Sequence, residues 1–263
     1  MINLDEAESF LLEIESQAAK TLRRYYESGD FGSKGKGGVD FLTQADSEVD
    51  KFIRESLQKN FPQAHVLTEE SAPKDYSSLL SNQNVFIVDP LDGTSNFSRK
   101  NPNFAISIGL VDCGVSKLAV INAPLLNRVI VARCDKPSAS VNGKPVHVSD
   151  NQTLKSAVIG CDWSWDLEKR KVEVRWLEPL SQVVRQIKMN GSAVVDLSDL
   201  AEGKIDAYLH SGLKPWDVAA ASLIVEKAGG KVTTTKGEKW NVFTPDMLAS
   251  NGKLHNELLG FVK

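Results

Sequence analysis

The chain has 263 residues, of which 41% are hydrophobic and 25% charged, enough for one large or two medium domains around a substantial core. Its 31 Lys and Arg against 34 Asp and Glu leave a formal charge of −3, which gives no electrostatic footprint for nucleic acid. No run of eighteen apolar residues suggests a membrane span, and the acidic start Met1-Ile2-Asn3-Leu4-Asp5-Glu6 lacks the pattern of a secretion signal, so a cytoplasmic protein is expected.

Cys113, Cys134 and Cys161 are widely spaced and lack Cys-x-x-Cys pairing, which predicts reduced thiols rather than a disulfide framework or a zinc site. His65, His147, His210 and His255 are equally scattered, so any metal here is to be held by oxygen. The spacing of Leu4, Ala7, Leu11, Ile14, Ala18, Leu22 and Tyr25 predicts an amphipathic helix over residues 1–28. The stretch Gly32-Ser33-Lys34-Gly35-Lys36-Gly37-Gly38 then reads equally as a connector or as a basic cradle for a phosphate. Thr43-Gln44-Ala45-Asp46 resembles a capping box and opens a helix with Val49, Phe52, Ile53 and Leu57 on its apolar face.

Two apolar runs end in acids. Val66-Leu67-Thr68 leads into Glu69-Glu70-Ser71, and Val85-Phe86-Ile87-Val88 leads into Asp89-Pro90-Leu91-Asp92-Gly93-Thr94-Ser95-Asn96-Phe97. A surface turn alone accounts for an isolated Asp-x-x-Asp-Gly. Here Pro90 and Gly93 are suited to fixing both acids on one rigid corner, and the amides of Gly93, Thr94 and Ser95 are suited to opening a helix that welcomes an anion. Strands are predicted at 104–112, 116–122, 128–134 and 141–149, the last beginning at the turn signal Asn142-Gly143. From residue 157 strands (157–161, 184–189, 205–210) alternate with helices (166–178, 192–202, 217–228), the last ending at Gly229-Gly230. The break at 150–156 divides an α+β half, 1–153, from an α/β half, 154–263. Asp217, in Lys214-Pro215-Trp216-Asp217-Val218, stands at a helix start and reads either as a cap or as a third acid converging on Asp89 and Asp92.

If Glu69, Asp89, Asp92 and Asp217 converge, with the Leu91 carbonyl, the set is all oxygen and selects Mg²⁺, with Mn²⁺ as a substitute. Two such ions about 4 Å apart suit hydrolysis of a phosphate ester. The set Asp46 in T-x-A-D, Glu69-Glu70-Ser71, the D-P-L-D-G-T-S-N-F stretch and Trp216-Asp217-Val218-Ala219-Ala220 with Ala228-Gly229-Gly230 resembles the inositol monophosphatase family of Mg²⁺-dependent, Li⁺-inhibited phosphatases.

That resemblance implies a layered αβαβα sandwich, a homodimer and a small phosphorylated metabolite as substrate. It implies metal binding by Glu69, Asp89, Leu91, Asp92 and Asp217, and phosphate binding by Gly93, Thr94 and Ser95. Asp46 and Thr94, with Glu69, are implied to activate the water. Gly191, Ser192, Ala193, His210 and Lys214, with Asp92 and Asp217, are implied to meet the substrate, and Lys36 and Glu70 to support the site. The sequence departs from the pattern at Thr68, where the family carries Gly, and at His210, where its inositol-selective members carry Glu. The second change leaves open an inositol phosphate, fructose 1,6-bisphosphate, an adenosine bisphosphate or histidinol phosphate as substrate. A regulatory binding protein on the same fold is a further expectation, because some family members contact the transcription machinery.

Overall fold

The computed structural model describes residues 2–29, 34–37, 40–42 and 44–262, and at 34–37 and 40–42 the backbone alone. Helix α1 (Leu4–Ser28) starts at Asn3, whose side chain accepts the Asp5 and Glu6 amides, and ends at left-handed Gly29. A ribbon of β1 (Lys34–Gly37) and β2 (Asp40–Leu42) leads to α2 (Gln44–Asn60). Then come β3 (His65–Thr68), β4 (Val85–Asp92) and the short α3 (Thr94–Ser98). With β5 (Ala105–Asp112), β6 (Val115–Ala123), β7 (Arg128–Arg133), β8 (Ser140–Val141) and β9 (Lys144–Pro145), strands β3 and β4 make a seven-stranded sheet in sequence order. Its first pair is parallel and the following pairs are antiparallel.

The remaining chain runs β10 (Val158–Cys161), α4 (Leu167–Leu180), β11 (Gln186–Lys188), α5 (Ala193–Ala201) and β12 (Ala207–His210). It closes with α6 (Pro215–Lys227), β13 (Lys231–Thr233), β14 (Met247–Ser250) and α7 (His255–Leu258). These strands form a five-stranded mixed sheet in the order β11-β10-β12-β14-β13. Cys113, Cys134 and Cys161 are all free thiols.

Burial explains the stacking. Leu11, Ile14 and Leu22 of α1 and Ile53 and Leu57 of α2 pack on Phe86, Val88, Ile106 and Ile108, one face of the large sheet. The apolar helices α5 and α6 fill the space between sheets, touching Ala119, Ile121 and Ile130 on one side and Tyr208, Met247 and Ala249 on the other. Trp176, Leu177 and Leu180 of α4, with Leu254 and Leu258, cover Ile159, Leu209 and Leu248. The result is the expected α+β sandwich, helices–sheet–helices–sheet–helices. Both faces of the large sheet are covered at β4, which is why its apolar run is continuous rather than alternating.

Two local expectations change. The strand expected at 141–149 is instead a two-residue hairpin, because Asn142 (φ 50°) and Gly143 (φ 75°) turn the chain between β8 and β9. The acidic corner is not beyond the end of β4 but inside it: the pairing with β5 slips between Asp89 and Asp92, and the one extra residue makes a bulge.

The middle helix layer approaches the large sheet closely. A Cβ on Gly109 of β5 would stand 2.9 Å from the Ala219 carbonyl carbon, and the Ser116 hydroxyl donates to the Ala219 carbonyl at 2.6 Å. Gly109→Ala is expected to push α6 away at a cost of about 1–3 kcal/mol, read as a lower urea midpoint at unchanged slope.

Candidate active site

At the top of β4 the bulge turns Asp89 and Asp92 toward one point, and α6 brings Asp217 from the other half of the chain. Carboxylate oxygens of the three lie within 4.8 Å of one another. Each is held by backbone. Asp89 accepts the Leu91 amide at 2.9 Å, and Asp217, third residue of its helix, reaches back to the Lys214 amide at 2.7 Å. Asp92 accepts the Val194 amide at 2.8 Å and the Ser192 hydroxyl. Asp217 is therefore both a helix-start acid and a member of the cluster. Glu69 lines the same cavity and its charge acts on Asp89, although it stands outside the close triad.

Gly93 sits at φ 89°, where a Cβ would stand 2.8 Å from the Asn103 carbonyl, so the turn into α3 needs glycine. Thr94 follows. Its hydroxyl is 3.1 Å from Asp46 Oδ1 and 3.1 Å from the Leu91 carbonyl, and with a single hydrogen it donates to the charged acceptor in preference. Asp46, buried in the first turn of α2, is thereby joined to the corner.

The cavity, about 870 Å³, is lined by Glu69, Glu70, Asp89, Leu91, Asp92, Gly93, Thr94 and Ser95 at the acidic end. Gly191, Ser192, Ala193, His210 and Lys214 line it from the second half. The side chain of Lys36, like Gly32, Ser33, Gly38 and Thr43, lies outside the described residues.

Several contributors were not singled out in the sequence. Asn96 donates to the carbonyls of Asn103 and Asn190, each at 2.7 Å, and so ties the large sheet to the loop before α5. Beneath that loop lie two acids: Asp162 accepts the Gly191 amide at 2.8 Å, and Asp196 accepts the Asn190 side chain. Burial first pushes both up, Asp162 to about 7 with the Asp92 charge adding to it and Asp196 to about 9 with the Asp162 charge adding to it. The available signal was Asp196 itself, a lone acid in the apolar run Ala193-Val194-Val195-Asp196-Leu197.

Burial also dominates the triad. It raises Asp89 well above the carboxylate range, with Glu69, Asp92 and Asp217 adding to it, and it lifts Asp92 to about 6 and Asp217 to about 7. Like charges crowded in a half-dry corner form a strongly negative site that a hard divalent cation would neutralise. The donor set, carboxylates plus a carbonyl, fits such a cation and no soft one.

A layered αβαβα fold with an acidic corner beside a threonine–aspartate pair is the arrangement that a metal-assisted phosphatase requires. The chain matches the inositol monophosphatase family model over residues 3–262 and belongs to that family of phosphatases. It is 30% identical over 96% of its length to a fructose-1,6-bisphosphatase/inositol-1-monophosphatase of Thermotoga maritima, covering 94% of that protein. It is 31% identical over 93% of its length to an inositol-1-monophosphatase of Bacillus subtilis, covering 91% of it. The extragenic suppressor protein suhB of Bartonella henselae superposes with a TM-score of 0.89 at 30% identity, over 98% of both chains.

Ser192 joins the two halves at the corner, donating to Asp92 and accepting the Val195 amide at 3.2 Å as the cap of α5. Ser192→Ala is expected to lower stability by about 1–2 kcal/mol in urea unfolding, with Ser192→Thr restoring most of it.

Proposed function

We propose that the chain is a Mg²⁺-dependent phosphomonoesterase acting on a small phosphorylated polyol or sugar, with Mn²⁺ able to substitute. The observation that carries this reading is the convergence of Asp89, Asp92 and Asp217 beside the Thr94–Asp46 pair. Asp89, Asp92, Asp217, Glu69 and the Leu91 carbonyl would hold the cation, which when bound neutralises phosphate charge and lowers the pKa of a bound water.

The chain's own groups do the remainder. The amides of Gly93, Thr94 and Ser95 bind the phosphate oxygens, and Gly191, Ser192, Ala193 and His210 meet the alcohol part of the substrate. Because Thr94 gives its hydrogen to Asp46, a lone pair of its oxygen is free to take a proton from the attacking water. As the water oxygen bonds to phosphorus, that proton passes to Thr94 while the threonine's own moves to Asp46. The ester P–O bond breaks on the opposite side, and the leaving alkoxide takes a proton from solvent. Glu70 stands at the cavity wall as a supporting acid. The same reading includes a cytoplasmic homodimer; among the described residues no helix is long and apolar enough to cross a membrane.

Thr94→Ala should lower kcat by about 10²–10⁴ with little change in KM, and Asp89→Asn should abolish Mg²⁺-dependent phosphate release. Release should also fall on adding Li⁺. Full turnover in either variant would refute the assignment.

Metal binding should also appear in stability. Asp89, Asp92 and Asp217 have folded pKa values above those of the unfolded chain, so the stability they support is complete below about pH 4 and is lost as pH rises through 6 to 7. A cation removes that loss by holding the ionised form. The Tm gain on saturating Mg²⁺ is therefore expected to be larger at pH 8 than at pH 5.5, and an equal gain at both would contradict binding at this cluster. Buried His210 and His255, both depressed to about 4, act oppositely, but their effect is common to both arms of the comparison.

A further inference from the structure

The two acids beneath the turn at residues 190–192 have no part in the chemistry above, yet each grips that turn. Asp162 follows β10, and its Oδ1 accepts the Gly191 amide at 2.8 Å. Asp196 stands in α5, and its Oδ1 accepts the Asn190 side chain. The two carboxyl groups bond to each other, and their remaining oxygens, Asp162 Oδ2 and Asp196 Oδ2, are buried. We propose that Asp162 and Asp196 share a single hydrogen and act as a positioning pair that fixes the turn, and through it Asp92, for phosphate-ester hydrolysis. The inference rests on the phosphatase reading above and names residues that set the geometry of that same site.

The contact itself demands the hydrogen. Ionised carboxylates are acceptors only, so two of them bond to each other only when one carries a hydrogen. No cation offers an alternative: among the described residues neither acid forms an ion pair. The other charges that act on the pair are negative, Asp92 of β4 on Asp162 and Asp199 of α5 on Asp196, and Asp199 is already paired with Arg128 at 2.6 Å. Glu173 of α4 adds its charge at Cys161, and Asp217 of α6 at Tyr208. Cys161 and Tyr208 are pushed up by burial first and by these acids as well, so both keep their hydrogens.

Surroundings decide which acid carries it. Asp196 is fully buried, and burial first, with the Asp162 charge, raises it to about 9. Asp162 lines the cavity, receives a main-chain amide and stands beside the Tyr208 hydroxyl, so the negative charge is better met there. The hydrogen therefore sits on Asp196 and points at Asp162. That leaves Asp196 Oδ1 as the oxygen that accepts from Asn190.

The grip reaches the acidic corner through a few bonds. Asp162 holds the Gly191 amide, Asp196 holds the Asn190 side chain, and Asn96 donates to the Asn190 carbonyl at 2.7 Å. The Ser192 hydroxyl and the Val194 amide, next along the chain, both donate to Asp92. There is little slack on either side. Gly191 sits at φ 76°, where a Cβ would stand 3.2 Å from Asn96 Nδ2. A Cβ on Gly160 of β10 would stand 3.2 Å from Tyr208 Cδ2 and 3.5 Å from Asp196 Cγ, so the strand closes the pair from below. Loss of the shared hydrogen sets two buried charges against each other, and the residues they hold, Asn190 and Gly191, are adjacent in the turn.

The test compares the full chain as wild type, Asp196→Asn and Asp196→Ala. Asparagine keeps an oxygen for Asn190 and gives Asp162 a permanent N–H, whereas alanine removes both. The first measurement is Tm in Mg²⁺-free buffer at pH 6 and pH 9. The folded pKa of Asp196 is raised, so the stability it supports is complete below about pH 4 and is lost as pH rises towards 9. Asparagine does not ionise, so the Tm of Asp196→Asn relative to wild type should be higher at pH 9 than at pH 6. An equal difference at both overturns the shared hydrogen. The second measurement is initial-rate phosphate release from inositol 1-phosphate and fructose 1,6-bisphosphate across Mg²⁺ concentrations at pH 7.5. Asp196→Ala should lower kcat about ten- to a hundredfold and raise the half-maximal Mg²⁺ concentration about tenfold. Asp196→Asn should restore both to within about threefold of wild type, a rescue that a merely structural role does not require. Wild-type kinetics in Asp196→Ala with a folded circular dichroism spectrum, or Asp196→Asn as impaired as Asp196→Ala, overturns the positioning role and leaves the phosphatase reading intact. Should Asp196→Ala fail to fold, Asp162→Ala, which frees the Gly191 amide, takes its place with the same expectation. No release from either substrate by the wild type overturns the phosphatase reading itself, and the Tm comparison still decides the shared hydrogen.

Discussion

Crowding of like charge at the end of β4 is the constraint to which the rest of the molecule answers. Three carboxylates within 4.8 Å, Asp89 buried and Asp92 and Asp217 half-buried, repel one another, and each has lost much of its water. Folding must therefore hold them by force of connectivity. It does so with main-chain donors from separate places: the amides of Leu91, Val194 and Lys214 each point at one acid. Amides cannot move away as side chains can, so the repulsion is stored in the fold rather than relieved by a rotamer change.

The stacking of layers serves that end. Asp92 and Asp217 meet because α5 and α6 are wedged between the sheets, with α6 close enough to β5 that Gly109 has no room for a side chain. The small residues Ala219, Ala220 and Ala221 allow the approach, and the Ser116–Ala219 bond fixes its height. Asn96 and Ser192 then cross from one half of the chain to the other at the same level as the acids. Misplacement of any of these contacts by an ångström would be felt at the corner, because the interior is packed too tightly to deform gradually.

Much of this was legible in the residue order. Helical periodicity marked α1 and α2, the stop at Gly229-Gly230 marked α6, and Asp89 and Asp92 stood out because charge at the end of an apolar run is expensive unless it is used, while Asp217 stood out at a helix start. What the residue order hid was anything set by register or by partners distant in sequence. The bulge in β4 is invisible because a slip in pairing depends on β5 as well as β4. The hairpin at Asn142-Gly143 was stretched into one strand because the residues after it still alternate. Asp162, Glu173 and Arg170 passed unnoticed for a different reason: each is ordinary locally, and its part depends on a loop folded against β12.

That loop bears on how one fold comes to serve different phosphate esters. On the proposed reading the acidic corner meets what every such substrate shares, a phosphate, and so cannot tell them apart. On that reading discrimination falls to the rest of the cavity wall, which His210 lines as a neutral ring because burial depresses it to about 4. Fully buried Glu173 stands behind that ring, 3.4 Å from its Nδ1, and its oxygens accept from Ser164 and Ser211, which holds the loop. The same buried glutamate thus fixes the position of Arg170, through Ser164. A wall held in this way selects by fit as well as by attraction, since a ligand that does not meet its polar groups leaves them desolvated and unpartnered.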